Sequence, residues 1–532
     1  MRSAAVIVAA SLLVSCASRG VARAPAPVVA KTPRAGLVLT IASDRVRDDR
    51  IDVVLQWTFP PGAAPTELRF TPVHAASLEG LVAHDAVGSL AVSRTGRGLA
   101  LARDVQGPLE VRYTIVLART PTGDGSFAEP VEVHVLGADV LVLPEGEARV
   151  PVALALRTGV LAAGGASSFG LGADEAFDAS FAELQRGWFL AGDVGTASFH
   201  ASDGDDIAAW VGHTAFDGRW VGAETAAVRG GVDTWVGRSI SPGSPPASLL
   251  FVPARRDDMP VVVGLAARGL VVSVDRRAVW TASARILVAQ ALVQRYIGGF
   301  LAVTDRAEAG RFWSEGFSRT IAREIVFGLG TIDHADRAAE LNALLATIAF
   351  ATDARAVVTA RGALGATALD VVLRKKERSL QAFVRARLAE AATSGKDVLP
   401  YDAFLHHVSE DAGEPGLRAL ASSEPELPPD LLGHCYRLVR KDLVPFELGF
   451  TTSAGEELTI TEVTRGSRAA AAGLVTGDIV KDLRYVAGRP DAPVTLTVTH
   501  AGKPRAVRFL PAGTAKPGRV FDRIPNIPDD RC

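Results

Sequence analysis

The stretch Arg285–Arg319, RILVAQALVQRYIGGFLAVTDRAEAGRFWSEGFSR, decides how the rest of the chain is read. Ile286, Leu287, Ala291, Leu292 and Val293 recur at helical spacing, and Gly298-Gly299 stops the run, so the pattern predicts one buried helix over 282–297. Gln290 and Gln294 lie one turn apart on a shared face of that helix. A second polar group follows in Trp313-Ser314-Glu315-Gly316-Phe317.

Together, LVAQALVQRYIGG and FWSEGFSR resemble the active-site helix and third-ligand helix of the gluzincin zinc peptidases. The match is strongest to the glycyl aminopeptidase family, where the pattern runs roughly LVAHELxHRxxGG and then WxxEGF. There, two imidazoles at i and i+4 of His-Glu-x-x-His bind the metal, the Glu between them is the general base, and a Glu on the next helix is the third ligand. The resemblance puts Gln290 and Gln294 at the ligand positions, Ala291 at the base and Glu315 at the third ligand. A Gln amide is neutral and offers one weak carbonyl oxygen, whereas zinc takes imidazole, thiolate or carboxylate. Glu315 alone does not hold a catalytic zinc, and losing a positioned base costs roughly 100- to 10,000-fold in rate.

Thr359-Ala360-Arg361-Gly362-Ala363-Leu364, with Leu369-Asp370 and Arg374, resembles the family segment in which a tyrosine two residues before Arg-Gly steadies the oxyanion. That position holds Thr359, whose hydroxyl reaches less far. The resemblance therefore implies a thermolysin-like domain with no catalytic residues at Gln290, Ala291, Gln294 and Thr359, and with no cofactor. Zinc belongs only to the alternative, an active aminopeptidase with an unrecognised metal site.

Upstream, Met1-Arg2, the apolar run AAVIVAASLLVS and Leu13-Val14-Ser15-Cys16 read as a targeting segment too short to span a bilayer. It resembles a bacterial lipobox, with Cys16 as the lipidated residue. Ala17 is not the Asp that favours inner-membrane retention in such lipoproteins, which points to the outer membrane of a Gram-negative envelope. Residues 17–35, rich in Ala, Pro, Arg and Lys, read as a tether. No other segment is read as long and apolar enough to span a bilayer.

The composition, 48% apolar and 22% charged, is that of packed globular structure, and the length suggests three or four domains. Fifty-seven basic against fifty-nine acidic residues, a net charge of -2, leave no footprint for nucleic acid. From Gly36 to Asp139 the runs LVLTIAS, IDVVLQWTF, ELRFTPV, LEVRYTIVL and VEVHVL, separated by turn signals such as Pro60-Pro61-Gly62 and Gly123-Asp124-Gly125, read as a β-sandwich. Residues 140–280 are mixed; SLLFVPA and MPVVVGLAARGLVVSV lead as strands into the central helix. After Glu315 about a hundred residues are helical in pattern, from SRTIAREIVFGLG to YDAFLHHVSEDAG.

Phe446-Glu447-Leu448-Gly449-Phe450, LTITEVTRGSRAAAAGLVTGDIV and VTLTVTHAGKPRAVRFLPA resemble a PDZ domain. The resemblance implies that Leu448, Gly449 and Phe450 form a loop binding protein C-termini or peptides. Cys435 and Cys532 suit a disulfide in an oxidising envelope. The expected architecture is multidomain α/β: signal 1–16, linker 17–35, β-sandwich 36–139, thermolysin-like mixed sheet plus helical half 140–430, PDZ domain 440–512 and tail 513–532. The function it implies is a lipid-anchored pseudopeptidase that holds peptides or proteins without cutting them.

Overall fold

Strict alternation builds the N-terminal third. In Gly36–Ser43 and Arg50–Thr58, Leu37, Leu39, Ile41, Ile51, Val53, Leu55 and Trp57 face inward and are 0–6% exposed, while the residues between them face out. The computed structural model describes residues 36–532 except 45, 60–66, 71–76, 96–97, 118–125, 145–148, 160–163, 202–203, 238–247, 254–260, 276–277, 305–306, 454–457, 487 and 529–530. The signal 1–16 with Cys16, the linker 17–35 and the turns at 60–62 and 123–125 lie outside the described residues.

The large sheet has seven strands in the order Asp174–Ser180, Arg149–Arg157, Gly36–Ser43, Arg50–Thr58, Leu109–Val116, Ser77–Asp85 and Gly88–Leu90. A four-stranded sheet, Gly164–Ser167, Trp188–Gly192, Glu132–Leu136 and Phe127–Glu129, shares its core through Phe189, Val133 and Val135. The sandwich therefore does not end at Asp139, as the sequence suggested, but runs to about Gly192. Gly36–Ser43 pairs in parallel with Arg149–Arg157, a partner more than a hundred residues away that strand alternation alone does not announce.

Next comes a five-stranded mixed sheet in the order Val194–Ala201, Gly204–Val211, Ser248–Pro253, Gly269–Val274 and Val261–Ala266. The parallel step from Gly204–Val211 to Ser248–Pro253 is made by helix Gly218–Val236, capped by Asp217 and ended by Gly237 at φ 77°. Six longer helices complete this body after the central one: Ser318–Gly328, His334–Phe350, Ala354–Arg374, Leu380–Ser394, Tyr401–Ala412 and Glu414–Ala421. Trp313, Phe317 and Phe404, each no more than 1% exposed, pack ring to ring at its centre, and each such side chain contributes about 1.5–3 kcal/mol by burial. Helix Ala354–Arg374, in which an 18-residue window reaches a mean hydropathy of 1.5, is long and apolar enough by composition to cross a membrane, which corrects the reading that no segment besides the leader is. Its apolar faces are covered by neighbouring helices, and Ala363, Leu364, Ala366 and Leu369 are fully buried.

The chain ends in a five-stranded antiparallel sheet, Phe450–Thr452, Leu458–Val463, Ile479–Arg484, Val494–His500 and Lys503–Phe509, with one helical turn at Arg468–Ala471. Tyr436–Leu443 and Lys516–Arg523 form a separate two-stranded ribbon. Residues 513–532 are thus not a loose tail. The Asn342 amide donates to the Phe521 carbonyl at 3.1 Å and accepts from the Phe521 N–H at 2.7 Å, which clamps the ribbon onto helix His334–Phe350. Cys435 and Cys532 are joined by a disulfide with Cα atoms 5.7 Å apart, and Cys435, Tyr436 and Phe521 share a core with Leu341 and Leu364.

Candidate functional site

The central helix spans Ala282–Gln294, with the Thr281 hydroxyl accepting from the Ala284 N–H at 3.3 Å as its cap. The run expected to reach residue 297 ends earlier, because the Tyr296 N–H turns back to Val293 and the Gly299 N–H to Gln294. Gly298, at φ 107°, is needed there: a Cβ would lie 2.6 Å from the Ser314 Cβ. That contact seats the turn that follows, Phe312–Phe317, a single π-helical turn of the kind often found at functional sites.

The turn is fixed from its other side by glycine against glycine. A Cβ on Gly316 would meet the Gly362 Cα at 2.5 Å, and one on Gly362 would meet the Phe312 carbonyl at 2.7 Å. Only paired glycines let the backbone of Phe312–Phe317 and helix Ala354–Arg374 approach this closely. The approach brings the first turns of that helix over Glu315. Thr359 donates its hydroxyl to Glu315 Oε2 at 2.6 Å, and Arg355, one turn earlier on the same face, lies 3.0 Å from Oε1 through its guanidinium.

Gln290 is 8% exposed and engaged at both ends: its amide donates to the Glu315 carbonyl at 3.1 Å, and its oxygen accepts from Arg319 at 3.4 Å. Arg319 in turn grips Glu340 with two bonds, 2.6 and 3.1 Å. Gln294 is half-buried and makes no side-chain hydrogen bond within the described residues, while Ala291, 5% exposed, offers no acceptor. The structure therefore brings Gln290, Glu315 and Thr359 together. Sequence reading missed Arg355 and the Arg319–Glu340 pair; the four-residue step from Arg355 to Thr359 was the available signal for the first.

These residues do not fit zinc. A carboxylate is one good ligand, but the Glu315 carboxylate already faces a guanidinium at 3.0 Å, and a divalent cation on the same oxygens would face that positive charge. Gln290, whose amide meets the Glu315 backbone carbonyl, spends both its polar atoms on protein partners. Among the described residues no group of three or more His, Cys, Asp or Glu side chains gathers at metal-binding range. What these residues offer instead is a set of amide, hydroxyl and guanidinium groups. It lacks a general base at the central position of the helix.

A second candidate lies at Leu448-Gly449-Phe450. Phe450–Thr452 is an edge strand, paired on one side with Leu458–Val463 and on no other side within its sheet. Gly449 sits at φ 73° with Ser467 Cβ 2.6 Å from where its own Cβ would be, and its carbonyl accepts from Thr464 N–H at 2.9 Å. An open edge of this kind can take an added peptide strand. The connection Tyr485–Pro493 carries no helix among the described residues, so no helical wall comes from that segment.

No family model and no curated protein matches the chain. Its fold is similar to that of solved structures. An aminopeptidase N family protein from Idiomarina loihiensis superposes with a TM-score of 0.63 at 15% identity, over 92% of this chain and 98% of that one. An M1 zinc metallopeptidase from Deinococcus radiodurans gives a TM-score of 0.46 at 15% identity, over 74% of this chain and 93% of that one. The first of these likenesses gives the chain an aminopeptidase-N-like fold along nearly its whole length.

Proposed function

We propose that this aminopeptidase-N-like chain is a lipid-anchored envelope pseudopeptidase, which holds peptides or proteins and does not hydrolyse them. The observation that carries the reading is that the Glu315 carboxylate is bound by the Arg355 guanidinium and the Thr359 hydroxyl. Gln290, Ala291 and Gln294 complete the argument, since they supply neither ligands of the right kind nor a base. Without an activated water, the cleft can bind a peptide through the amide of Gln294 and the exposed Arg355 and leave its bonds intact. The test is release of N-terminal residues from a peptide panel by the chain starting at Ala17. No turnover is expected with or without added zinc; turnover abolished by a chelator and restored by zinc would establish the competing reading of an active aminopeptidase.

Two further parts of the proposal rest on sequence patterns. Lipidation at Cys16 places the protein in the envelope, with the outer membrane favoured by Ala17. Cys16→Ser is expected to move the protein to the soluble fraction, and its persistence with membranes would contradict the anchor. The C-terminal five-stranded sheet acts as a PDZ domain, with Leu448-Gly449-Phe450 receiving a peptide C-terminus. Gly449→Trp in the full chain is expected to remove binding of peptides selected from a C-terminal library. Equal binding by the variant would rule out this loop as the receptor.

A further inference from the structure

On the flank of helix Ala354–Arg374 marked by Val358 and Arg361 lies a cavity of about 220 Å³. Its apolar wall comes from Phe312, Val358, Leu420 and the ring of Tyr401. Arg361 and Glu308 also line it, and they carry its charge. Arg361 Nε is sealed from solvent and has no hydrogen-bond partner, and the guanidinium makes no ion pair among the described residues. Glu308, exposed at the rim, likewise has no cationic partner among them, and the two charges do not pair with each other.

A guanidinium that lines a cavity without a carboxylate partner has donors left for one. Here, an unpaired cation and an unpaired anion face one small space with an apolar wall between them. From this arrangement we infer a binding site for a free α-amino acid with an apolar side chain. Its carboxylate is held by Arg361, its ammonium by Glu308, and its side chain packs on Phe312, Val358 and Leu420. The guanidinium suits a carboxylate because its fork matches two oxygens. The volume suits a single residue, since drug-sized ligands fill about 300–1,000 Å³. The inference goes beyond the pseudopeptidase reading and is independent of it: nothing in the cavity depends on whether the cleft at Glu315 is active.

The experiment is calorimetric titration of the chain starting at Ala17 with L-leucine, L-leucinamide, N-acetyl-L-leucine and the dipeptide Leu-Leu. Saturable leucine binding is expected, weakened at least tenfold by loss of either the carboxylate or the ammonium, with the dipeptide weaker than leucine. Arg361→Gln is expected to abolish leucine binding. Because Arg361 is partly buried, the exposed Glu308→Gln serves as a second variant whose folding is not at issue. It should weaken leucine at least tenfold and leave N-acetyl-leucine unchanged. The proposal is overturned by no leucine binding at 10 mM, an order of magnitude above a millimolar Kd, by equal binding in Glu308→Gln, or by a dipeptide that binds more tightly than leucine.

Discussion

Two half-buried carboxylates, one beside the central helix and one in the sandwich, show what a neighbouring cation does. Glu315 accepts a hydroxyl from Thr359 at 2.6 Å and has the Arg355 guanidinium at 3.0 Å. Glu175 accepts a hydroxyl from Ser167 at 2.8 Å, but among the described residues its second oxygen is buried without a hydrogen-bond partner and the carboxylate makes no ion pair. Burial pushes Glu175 up to about 7, with the Ser167 hydroxyl opposing the shift. A hydroxyl alone does not offset burial of a carboxylate. At Glu315 a guanidinium and a hydroxyl share the carboxylate, and the backbone that presents it is held by paired glycines.

The largest effect is expected at the glycine crossing. Gly362→Val puts side-chain atoms into the Phe312 carbonyl and the Gly316 backbone, which forces Phe312–Phe317 away from helix Ala354–Arg374. The expected cost is about 3 kcal/mol, at or above the upper end for overpacked cores, read as a lower urea midpoint. A variant as stable as the native chain would mean that the close approach is not needed to bring Thr359 to Glu315.

Glu175 sharpens the contrast through pH. Its folded pKa lies above the ordinary value of 4.5, so its contribution to stability is fully present below about pH 4.5 and is lost as pH rises through about 7. Glu175→Gln should therefore gain stability over the native chain by up to about 3 kcal/mol between pH 5 and pH 8, from the size of the shift. Urea unfolding of both proteins at the two pH values measures it. An unchanged difference between them would show that the Glu175 carboxyl is not held neutral.

Much of the fold was legible because its signals are local. The apolar spacing in Ala282–Gln294, the Gly298-Gly299 stop and the alternation of Gly36–Ser43 each act within a few residues of chain. The misplaced sandwich boundary came from a non-local pairing, Leu37 to Val152 and onward, which no window on the sequence contains. The ribbon strand Lys516–Arg523 was read as tail because KPGRVFDR shows little alternation and is held by its partner strand and by Asn342. At the cleft, the sequence named Gln290, Glu315 and Thr359, yet gave no reason to choose Arg355 over other arginines until the two helices were in contact. Arg361 and Glu308 were equally silent: a charge without a partner is visible only when all its neighbours are known.

In the proposed pseudopeptidase an arginine, not a metal, neutralises Glu315. Zinc content of the purified chain starting at Ala17, dialysed against zinc and then against buffer, tests it most directly when compared with the combined variant Gln290→His, Gln294→His and Arg355→Ala. The native chain is expected to retain no zinc. The variant, with two imidazoles beside Glu315 and the guanidinium removed, should retain about one zinc per chain, as three protein ligands suffice for a catalytic-type site. One zinc per native chain, lost when Glu315→Gln is introduced, would contradict the account.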